Sequence, residues 1–335
     1  MVKINYAAWQ IDATDLSEDF SDLKKLQFFA RYAVLAPSGH NTQPWHFGHR
    51  GQTLLLKANA GRHLPHSGTA AAEPHISLGC CLETLCLAAK GFGYELLVDY
   101  GFSKDVVAAI NLGKKVVAEP SLLTAITSRT SNRNPYEPKP LASALLKAVT
   151  AGDFTGVSAL AITRKEDISF LADQTKHATH IIMTEQEFRS ELSKWVRSNV
   201  SKQYDGMPGF AQGMPTPPSL IAKHIIKHVD ISKSQAKKDA DRIVNSPALI
   251  LINAEKPGDA EFLNAGRLYA RICVRAQQAG IATSGVGAAV IDPTTRQVVQ
   301  AHFGLSSRPI AIIRLGLASK HARHTPRWPL HKVID

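Results

Sequence analysis

The chain has 335 residues, of which 44% are apolar and 20% charged, and 39 lysines and arginines against 28 acidic residues give a net charge of +11. This composition is that of an ordinary globular protein and excludes a disordered or collagen-like chain. The length predicts about two domains and a sizeable buried core. Apolar runs stay short of the ~18 residues that a membrane span needs, so no membrane span is expected. The first twenty residues lack the pattern of a secretory signal, so no such signal is expected.

The cysteines and the positive charge bear on compartment and partners. Cys80, Cys81 and Cys86 fall in one predicted apolar helix and Cys273 in another, which favours buried reduced thiols over disulfides or zinc. This pattern predicts a cytoplasmic protein. The net positive charge is compatible with binding to a nucleic acid, an anionic surface or an anionic cofactor. It is equally compatible with a basic surface that has no partner.

The predicted elements form two series along the chain. The first comprises a helix, a turn-rich polar segment, a strand, a buried helix and two strands, at residues 16–35, 36–45, 53–57, 76–91, 94–100 and 106–112. The second contains helices at 122–128, 141–149, 167–199 (one or two), 221–243 and 264–278, with strands at 156–162, 248–252 and 309–315. The glycines and prolines of residues 205–219 predict a segment without regular structure.

The two series resemble each other. Residues 76–93 align without gaps on residues 263–280, and residues 107–113 align on residues 310–316 in the same order. The first alignment matches Gly79, Cys86, Ala89 and Gly93 with Gly266, Cys273, Ala276 and Gly280. We therefore predict an internal duplication of two α+β halves, residues 1–118 and 119–335, each with helices packed on a sheet.

Familiar catalytic motifs are missing from the sequence. The histidines between residues 40 and 75 have no acidic or thiol neighbour at metal spacing, so no metal site is predicted. The segment 285–287, Gly-Val-Gly, follows no clear strand–turn–helix unit, so a dinucleotide fingerprint is not expected either. What remains is suited to an anion: Arg129, Ser131 and Arg133 lie within five residues, and guanidinium groups bind phosphate with two hydrogen bonds.

Two segments carry a family resemblance. Residues 35–47, Leu-Ala-Pro-Ser-Gly-His-Asn-Thr-Gln-Pro-Trp-His-Phe, resemble the A-P-S-x-x-N-x-Q-P-W-x-F signature of the FMN-dependent nitroreductase superfamily, and residues 129–133 resemble its R-x-S-x-R phosphate motif. Here the signature precedes the arginine motif, an order that resembles the Acg-like branch, a fused duplication. Residues 325–328 resemble that branch's closing T-P-R-R, with Trp328 departing at the last position. The resemblance implies a nitroreductase-like sandwich whose tandem halves form a single-chain pseudo-dimer.

The resemblance also implies a site. Because the first half carries only the P-S-x-x-N loop and the second only the arginine clamp, one FMN per chain is expected. The implied ligands are Arg129, Ser131 and Arg133 for the ribityl phosphate, with Arg327 and Arg323 closing on it, and Pro37, Ser38 and Asn41 along the ring and ribityl chain. Gly285, Val286 and Gly287 would present a backbone N–H to flavin N5, with Arg242 as a cation near N1 and O2. The flavin itself would carry the chemistry.

Three functions follow in order of preference. The resemblance implies a monomeric oxidoreductase that passes hydride from NAD(P)H through flavin N5 to a nitroaromatic, a quinone or a similar small acceptor. An alternative is a flavin-holding protein, closed by a lid over residues 201–234 that places Met207, Phe210 and Met214 on the ring. A third is a nucleic-acid binder, because residues 194–242 hold nine lysines and arginines. That stretch lacks a known motif and interleaved aromatics, so nucleic acid is not expected as a partner. A membrane is not expected either, because the apolar runs are short.

Overall fold

Two antiparallel four-stranded sheets and their helices organise the protein. The computed structural model describes residues 3–66, 72–101 and 105–335. The strands are β1 Trp45–Arg50, β2 Thr53–Ala58, β3 Tyr94–Tyr100, β4 Val106–Lys115, β5 Val157–Ile162, β6 Val196–Arg197, β7 Met207–Pro208, β8 Ala248–Ala254, β9 Ala282–Val286 and β10 Arg308–Gly316. The helices are α1 Asp22–Ala33, α2 Ala72–Gly91, α3 Ser121–Ser128, α4 Ser143–Thr150, α5 Lys165–Thr184, α6 Gln186–Trp195, α7 Thr216–His228, α8 Ser232–Val244, α9 Asp259–Gln278, α10 Ala288–Ile291 and α11 Pro293–His302.

The two sheets have the same topology. Their strand orders are β1-β2-β4-β3 and β5-β8-β10-β9, so in each sheet the third strand along the chain lies at the edge beside the fourth. A long helix connects the second strand to the third in each, α2 in one half and α9 in the other. The predicted α+β architecture with tandem halves is confirmed. The division between residues 118 and 119 stays a prediction.

Helices α2 and α9 pack against each other at the pair of glycines that the sequence alignment matched. A Cβ on Gly79 would overlap the backbone carbonyl of Leu263, and a Cβ on Gly266 would overlap that of Ile76. The two contacts are related by the same offset that aligns the two halves. Glycine is required on both helices because only its bare backbone permits so close an approach.

The core differs between the halves. All seven residues of β8 are buried, because α9 and α4 cover one face of the second sheet while α5, α8 and α11 cover the other. The continuous apolar run of this strand follows from burial on both faces. In the first sheet, α1 and α2 cover the face that includes Leu54 and Ile110, and the opposite face holds a small cluster around Leu55.

Some predicted elements need correction. The helix expected over residues 221–243 is two helices, α7 and α8, separated at Asp230, whose carboxylate accepts the Ser232 N–H at 2.8 Å. Regular structure enters residues 205–219 as β7 and as the start of α7 at Thr216. Prolines are compatible with a first helical turn, since N–H groups there have no intrahelical partner. The sequence did not predict β1, β6, β9, α10 or α11, and the helical region expected over residues 167–199 ends with α6 at Trp195.

The C-terminal tail, residues 326–335, returns to the first half. The Phe47 N–H donates to the Val333 carbonyl at 2.7 Å, and the Asp335 N–H donates to the Phe47 carbonyl at 3.0 Å. The Asp335 carboxylate pairs with Lys57 Nζ at 2.7 Å and His46 Nε2 at 2.6 Å. The tail therefore lies along β1, which directly follows the polar segment of residues 36–44. None of the described helices has the length and hydropathy of a membrane span.

Candidate functional site

The signature loop, residues 35–47, has a strained backbone. His40, Asn41 and Gln43 have positive φ angles of 46°, 59° and 54°. Non-glycine residues adopt this left-handed region rarely, and such strain persists only where surrounding contacts hold it. Helix α2 supplies one contact, because the Gly39 N–H donates to the Glu73 carboxylate at 2.9 Å. Within the loop, Ser38 Oγ accepts the Gln43 N–H at 3.0 Å.

Two amide side chains of this loop bind remote parts of the chain. Asn41 Nδ2 donates to the carbonyls of Gly206 at 2.9 Å and Pro326 at 3.1 Å. Gln43 Nε2 donates to the Tyr204 carbonyl at 2.8 Å, and its Oε1 accepts the Trp328 N–H at 2.9 Å. The signature loop thus joins the lid segment, residues 201–234, to the C-terminal tail. These contacts satisfy the amides of both side chains with protein groups.

Two of the predicted phosphate ligands bind the protein itself. Arg327 is 3% exposed, and its guanidinium donates to Asn41 Oδ1 at 2.6 Å and to the Ala36 carbonyl at 3.1 Å. Arg129 is also buried and donates to the Leu35 carbonyl at 3.1 Å. Burial lowers the pKa of Arg327, and the neighbouring Arg129 lowers it further. Both arginines therefore donate to backbone carbonyls of the segment that follows α1.

Eight of the predicted residues surround one small cavity of about 50 Å³. They come from the signature loop, the clamp segment (residues 129–133) and the residues around the start of the tail: Pro37, Ser38, Asn41, Arg129, Ser131, Arg133, Arg323 and Arg327. A larger cavity of about 630 Å³ shares Ser131, Arg133 and Arg323 with it and adds Arg242 on α8 and Phe210 of the lid segment. Tertiary structure thus brings together motifs that lie about ninety residues apart in the chain.

Arg133 and Arg323 have guanidinium groups with few protein partners. Arg133 donates one hydrogen bond, to the Ala211 carbonyl at 3.3 Å, and Arg323 lies 4.1 Å from the Phe210 ring centroid. Burial lowers the pKa of Arg133, and repulsion from Arg242 adds to the effect. Arg242 itself is paired with Asp239 at 2.8 Å. An anion in this cavity would relieve repulsion between like charges and fill vacant donors.

The Gly-Val-Gly segment lies outside the lining of both cavities. Gly285 and Val286 end β9 and Gly287 precedes α10, so this segment does form a strand-to-helix turn, contrary to the sequence reading. A Cβ on Gly285 would lie 2.6 Å from Tyr269 Oη. Burial raises the pKa of Tyr269, while Arg129 and Arg133 lower it. Tyr269, which is half-buried, therefore lies between the Gly-Val-Gly segment and the electrostatic influence of the two arginines.

Sequence reasoning assigned no role to two titratable residues, His40 within the signature loop and Glu73 beside it. His40 has its pKa lowered to about 4, chiefly by burial and further by Arg133, and its Nδ1 is buried without a hydrogen-bond partner. Glu73 has its pKa raised by burial, and its Oε1 accepts from both Gly39 N and Ser77 Oγ. A histidine inside a turn-rich motif gives no sign that a nitrogen of its ring is buried. The described residues contain no cluster of His, Cys, Asp or Glu able to hold a metal ion.

Comparison with known proteins gives relatives over nearly the whole chain, although no family model matches it. The chain is 24% identical over 331 residues to a Mycobacterium tuberculosis protein provisionally named NAD(P)H nitroreductase Rv3131, covering 96% of this chain and 94% of that protein. It is 24% identical over 320 residues to the NAD(P)H nitroreductase Acg of the same organism, also provisionally named, covering 90% and 92%. A crystal structure of a nitroreductase with bound FMN from Desulfitobacterium hafniense DCB-2 is 14% identical, with a TM-score of 0.40, and covers 64% of this chain and 97% of that one.

Proposed function

We propose that this chain, a member of the nitroreductase superfamily with Acg-like relatives, is an NAD(P)H-dependent oxidoreductase that binds one FMN between its halves. One observation carries the proposal: the signature loop of the first half and the clamp segment of the second half line the same small cavity. In the sequence each motif occurs once, so a single complete site can be assembled. The fused halves also favour a monomer.

The residues present fit this cofactor. The larger cavity, at about 630 Å³, lies within the usual range of small-molecule sites, roughly 300 to 1,000 Å³. The vacant donors of Arg133 and Arg323 and the Ser131 hydroxyl, at the junction of the two cavities, match the oxygens of a phosphate monoester. Arg327 serves differently from a direct phosphate clamp, because its several hydrogen bonds to Asn41, Ala36 and neighbouring groups hold the signature loop in place. Arg129 donates once to the Leu35 carbonyl and lines the smaller cavity beside Arg133, so it keeps donors for the phosphate.

FMN, when bound, would supply the redox chemistry, taking hydride from NAD(P)H at N5 and passing two electrons to a small acceptor. The chain's own residues bind and position. Arg133, Arg323 and Ser131 bind the phosphate, and Pro37 and Ser38 border the cofactor. Arg242 places a positive charge on the wall of the larger cavity, where it favours a reduced, anionic ring. Such a division of labour needs no side-chain nucleophile.

The first experiment measures the cofactor. We expect the purified protein to be yellow and to release FMN at one per chain, and to oxidise NAD(P)H with a quinone or nitroaromatic acceptor. Replacing Arg133 by Gln should lower FMN content and raise the Kd for added FMN at least tenfold, since a charged donor to phosphate is lost. Replacing Arg164, which is exposed and lines neither cavity, by Gln should change neither FMN content nor Kd.

Three results would overturn the proposal: no retained or added flavin bound, two flavins per chain, or equal FMN affinity in both arginine variants. Intact circular dichroism of Arg133→Gln separates lost binding from lost folding. Two flavins would show that the duplicated halves build two sites rather than one.

A second candidate, a flavin-holding protein with little turnover, is favoured by the anchoring of the lid segment. Asn41 makes reciprocal hydrogen bonds with Gly206, donating to its carbonyl at 2.9 Å and accepting its N–H on the Asn41 carbonyl at 3.1 Å. Met207 is buried and lines the smaller cavity. Anaerobic stopped-flow reduction of the flavin by NADPH separates the oxidoreductase from the flavin-holding protein. Slow flavin reduction that becomes faster in an Asn41→Ala variant would support the flavin-holding protein. Fast flavin reduction in the natural chain would exclude it.

A further inference from the structure

The larger cavity has a strongly basic wall. Six lysines and arginines line it against a single acidic residue, Asp241; the six are Arg133, Lys237, Lys238, Arg242, Lys320 and Arg323. The lysines come from α8 and from the segment after β10, which are about eighty residues apart in the chain. The basic wall is therefore formed by tertiary structure and not by a local run of charged residues. The residues that line the cavity have a net charge of five positive charges, with histidine counted as neutral.

Most of these cations lack a carboxylate partner. In the described part of the chain Arg242 is paired with Asp239, whereas Lys237, Lys320 and Arg323 make no ion pair within 4 Å. Lys238 Nζ donates to the Gln212 carbonyl of the lid segment at 2.7 Å. Its pKa is lowered by burial and by repulsion from Arg242 and Arg133. Like charges held together without counter-charges indicate a surface arranged for an anion.

The basic residues fall into two groups. Ser131, Arg133 and Arg323 line both cavities, while Lys237, Lys238 and Lys320 line only the larger one. The phosphate of FMN, with about two negative charges, engages the first group. The three lysines are exposed at the wall of the larger cavity without a carboxylate partner among the residues that the structure describes, which leaves them available to a second anionic group.

We propose that Lys237, Lys238 and Lys320 form a subsite for the 2′-phosphate of NADPH and make NADPH the preferred reductant. This inference rests on the proposed function. NADH and NADPH share the pyrophosphate and differ in the 2′-phosphate, a monoester with about two charges and three terminal oxygens. Ammonium groups act as point charges on rotatable stems and suit such a group without a fixed fork geometry.

The test uses the double variant Lys237→Gln/Lys320→Gln in the full-length protein. Lys238 stays, because its hydrogen bond holds the lid segment. We expect KM for NADPH to rise at least tenfold and KM for NADH to stay within about twofold, with a neutral quinone as acceptor. Adenosine 2′,5′-bisphosphate should bind the natural chain at least tenfold more tightly than 5′-AMP, and the double variant should lose this difference.

The matched control is Lys147→Gln/Lys176→Gln, two exposed lysines on α4 and α5 that line neither cavity and lie outside the lid segment, so the net charge changes equally. Equal rises of both KM values in the cavity variant, or the same loss in the control, would show a general electrostatic effect and overturn the subsite. So would equal affinity of the natural chain for the two nucleotides. Absence of FMN would defeat the proposed function alone, because nucleotide binding is measured independently of flavin content.

Discussion

His40 shows what the signature loop demands of a single residue. Its φ angle of 46° is one that asparagine and glycine tolerate better than histidine, and its ring lies 6.4 Å from that of Phe188 on α6. Burial, together with Arg133, holds its pKa near 4, so the ring is neutral in the folded protein at neutral pH. The unfolded chain, in contrast, would protonate this histidine near pH 6.5.

This difference predicts the pH dependence of stability. Between pH 6.5 and 4 the unfolded state binds a proton that the folded state does not, so the free energy of unfolding falls as pH falls through this window. We expect His40→Asn, which keeps a residue suited to positive φ, to reduce the loss of stability between pH 7 and pH 5 in urea unfolding.

Some slope will remain, because burial also lowers the pKa of His324 to about 4. The exposed His49→Asn is the matched control and should leave the slope unchanged. A slope in His40→Asn equal to that of the natural chain would show that His40 is not buried as a neutral ring.

At the scale of elements, the C-terminal tail extends the first sheet although it follows the second. Val333 is 3% exposed, and the backbone of the tail pairs with Phe47 of β1. Lys57 and His46 hold the pKa of Asp335 at about 2 through hydrogen bonds to its carboxylate. Because β1 follows the signature loop directly, the tail fixes one end of the candidate site.

A substitution and a deletion in the tail should lower the free energy of unfolding by different amounts. Asp335→Asn removes exposed ion pairs and should lower the free energy of unfolding by about 1 kcal/mol or less. Deleting residues 333–335 also removes a buried valine and the two backbone hydrogen bonds to Phe47, and should cost roughly 2–4 kcal/mol. Chemical denaturation measures both, and equal losses would mean that the ion pairs rather than the backbone hold the tail.

At the scale of the molecule, the halves share a topology but meet through an asymmetric interface. Glu83 of α2 is fully buried and pairs with Arg267 at 2.9 Å and Arg271 at 2.6 Å on α9. The residue that the internal alignment matches to Glu83 is Ala270, so the ionic cluster has no symmetric copy. The two halves therefore share a topology that fits a duplication, but the ionic cluster occurs on one side of the interface only. The signature loop and the clamp segment differ between the halves in the same way.

The crossing of α2 and α9 gives a prediction for the whole fold. Gly79→Ala should lower the free energy of unfolding by about 1–3 kcal/mol or more, since its Cβ meets the Leu263 backbone, which cannot move aside as a side chain can. The comparison is Gly61→Ala, whose Cβ would have only ordinary contact with Asn59. Thermal unfolding that ranks the two variants equally would contradict the close helix approach.

Much of the fold could be predicted because its signals are local. The apolar runs predicted α2, α9 and β8, and the repeated glycines predicted that α2 and α9 occupy equivalent places. Strand β1 was not predicted because it has two histidines and an arginine in six residues. The last two residues of the strand, His49 and Arg50, are exposed to solvent. The break between α7 and α8 was missed because Asp230 interrupts a charge pattern that otherwise continues.

The sequence by itself determined the duplication and the separation of the two motifs into different halves, since both are properties of order and spacing along the chain. Only the tertiary structure decided how the motif residues are used. It turned Arg327 toward Asn41 and the Ala36 carbonyl, and it left Arg129, Arg133 and Arg323 with vacant donors at the smaller cavity. It also joined the lysines of α8 to Lys320 in one basic cavity. Those outcomes depend on contacts between segments far apart in the chain, where the free energy of burying a charge selects its partner.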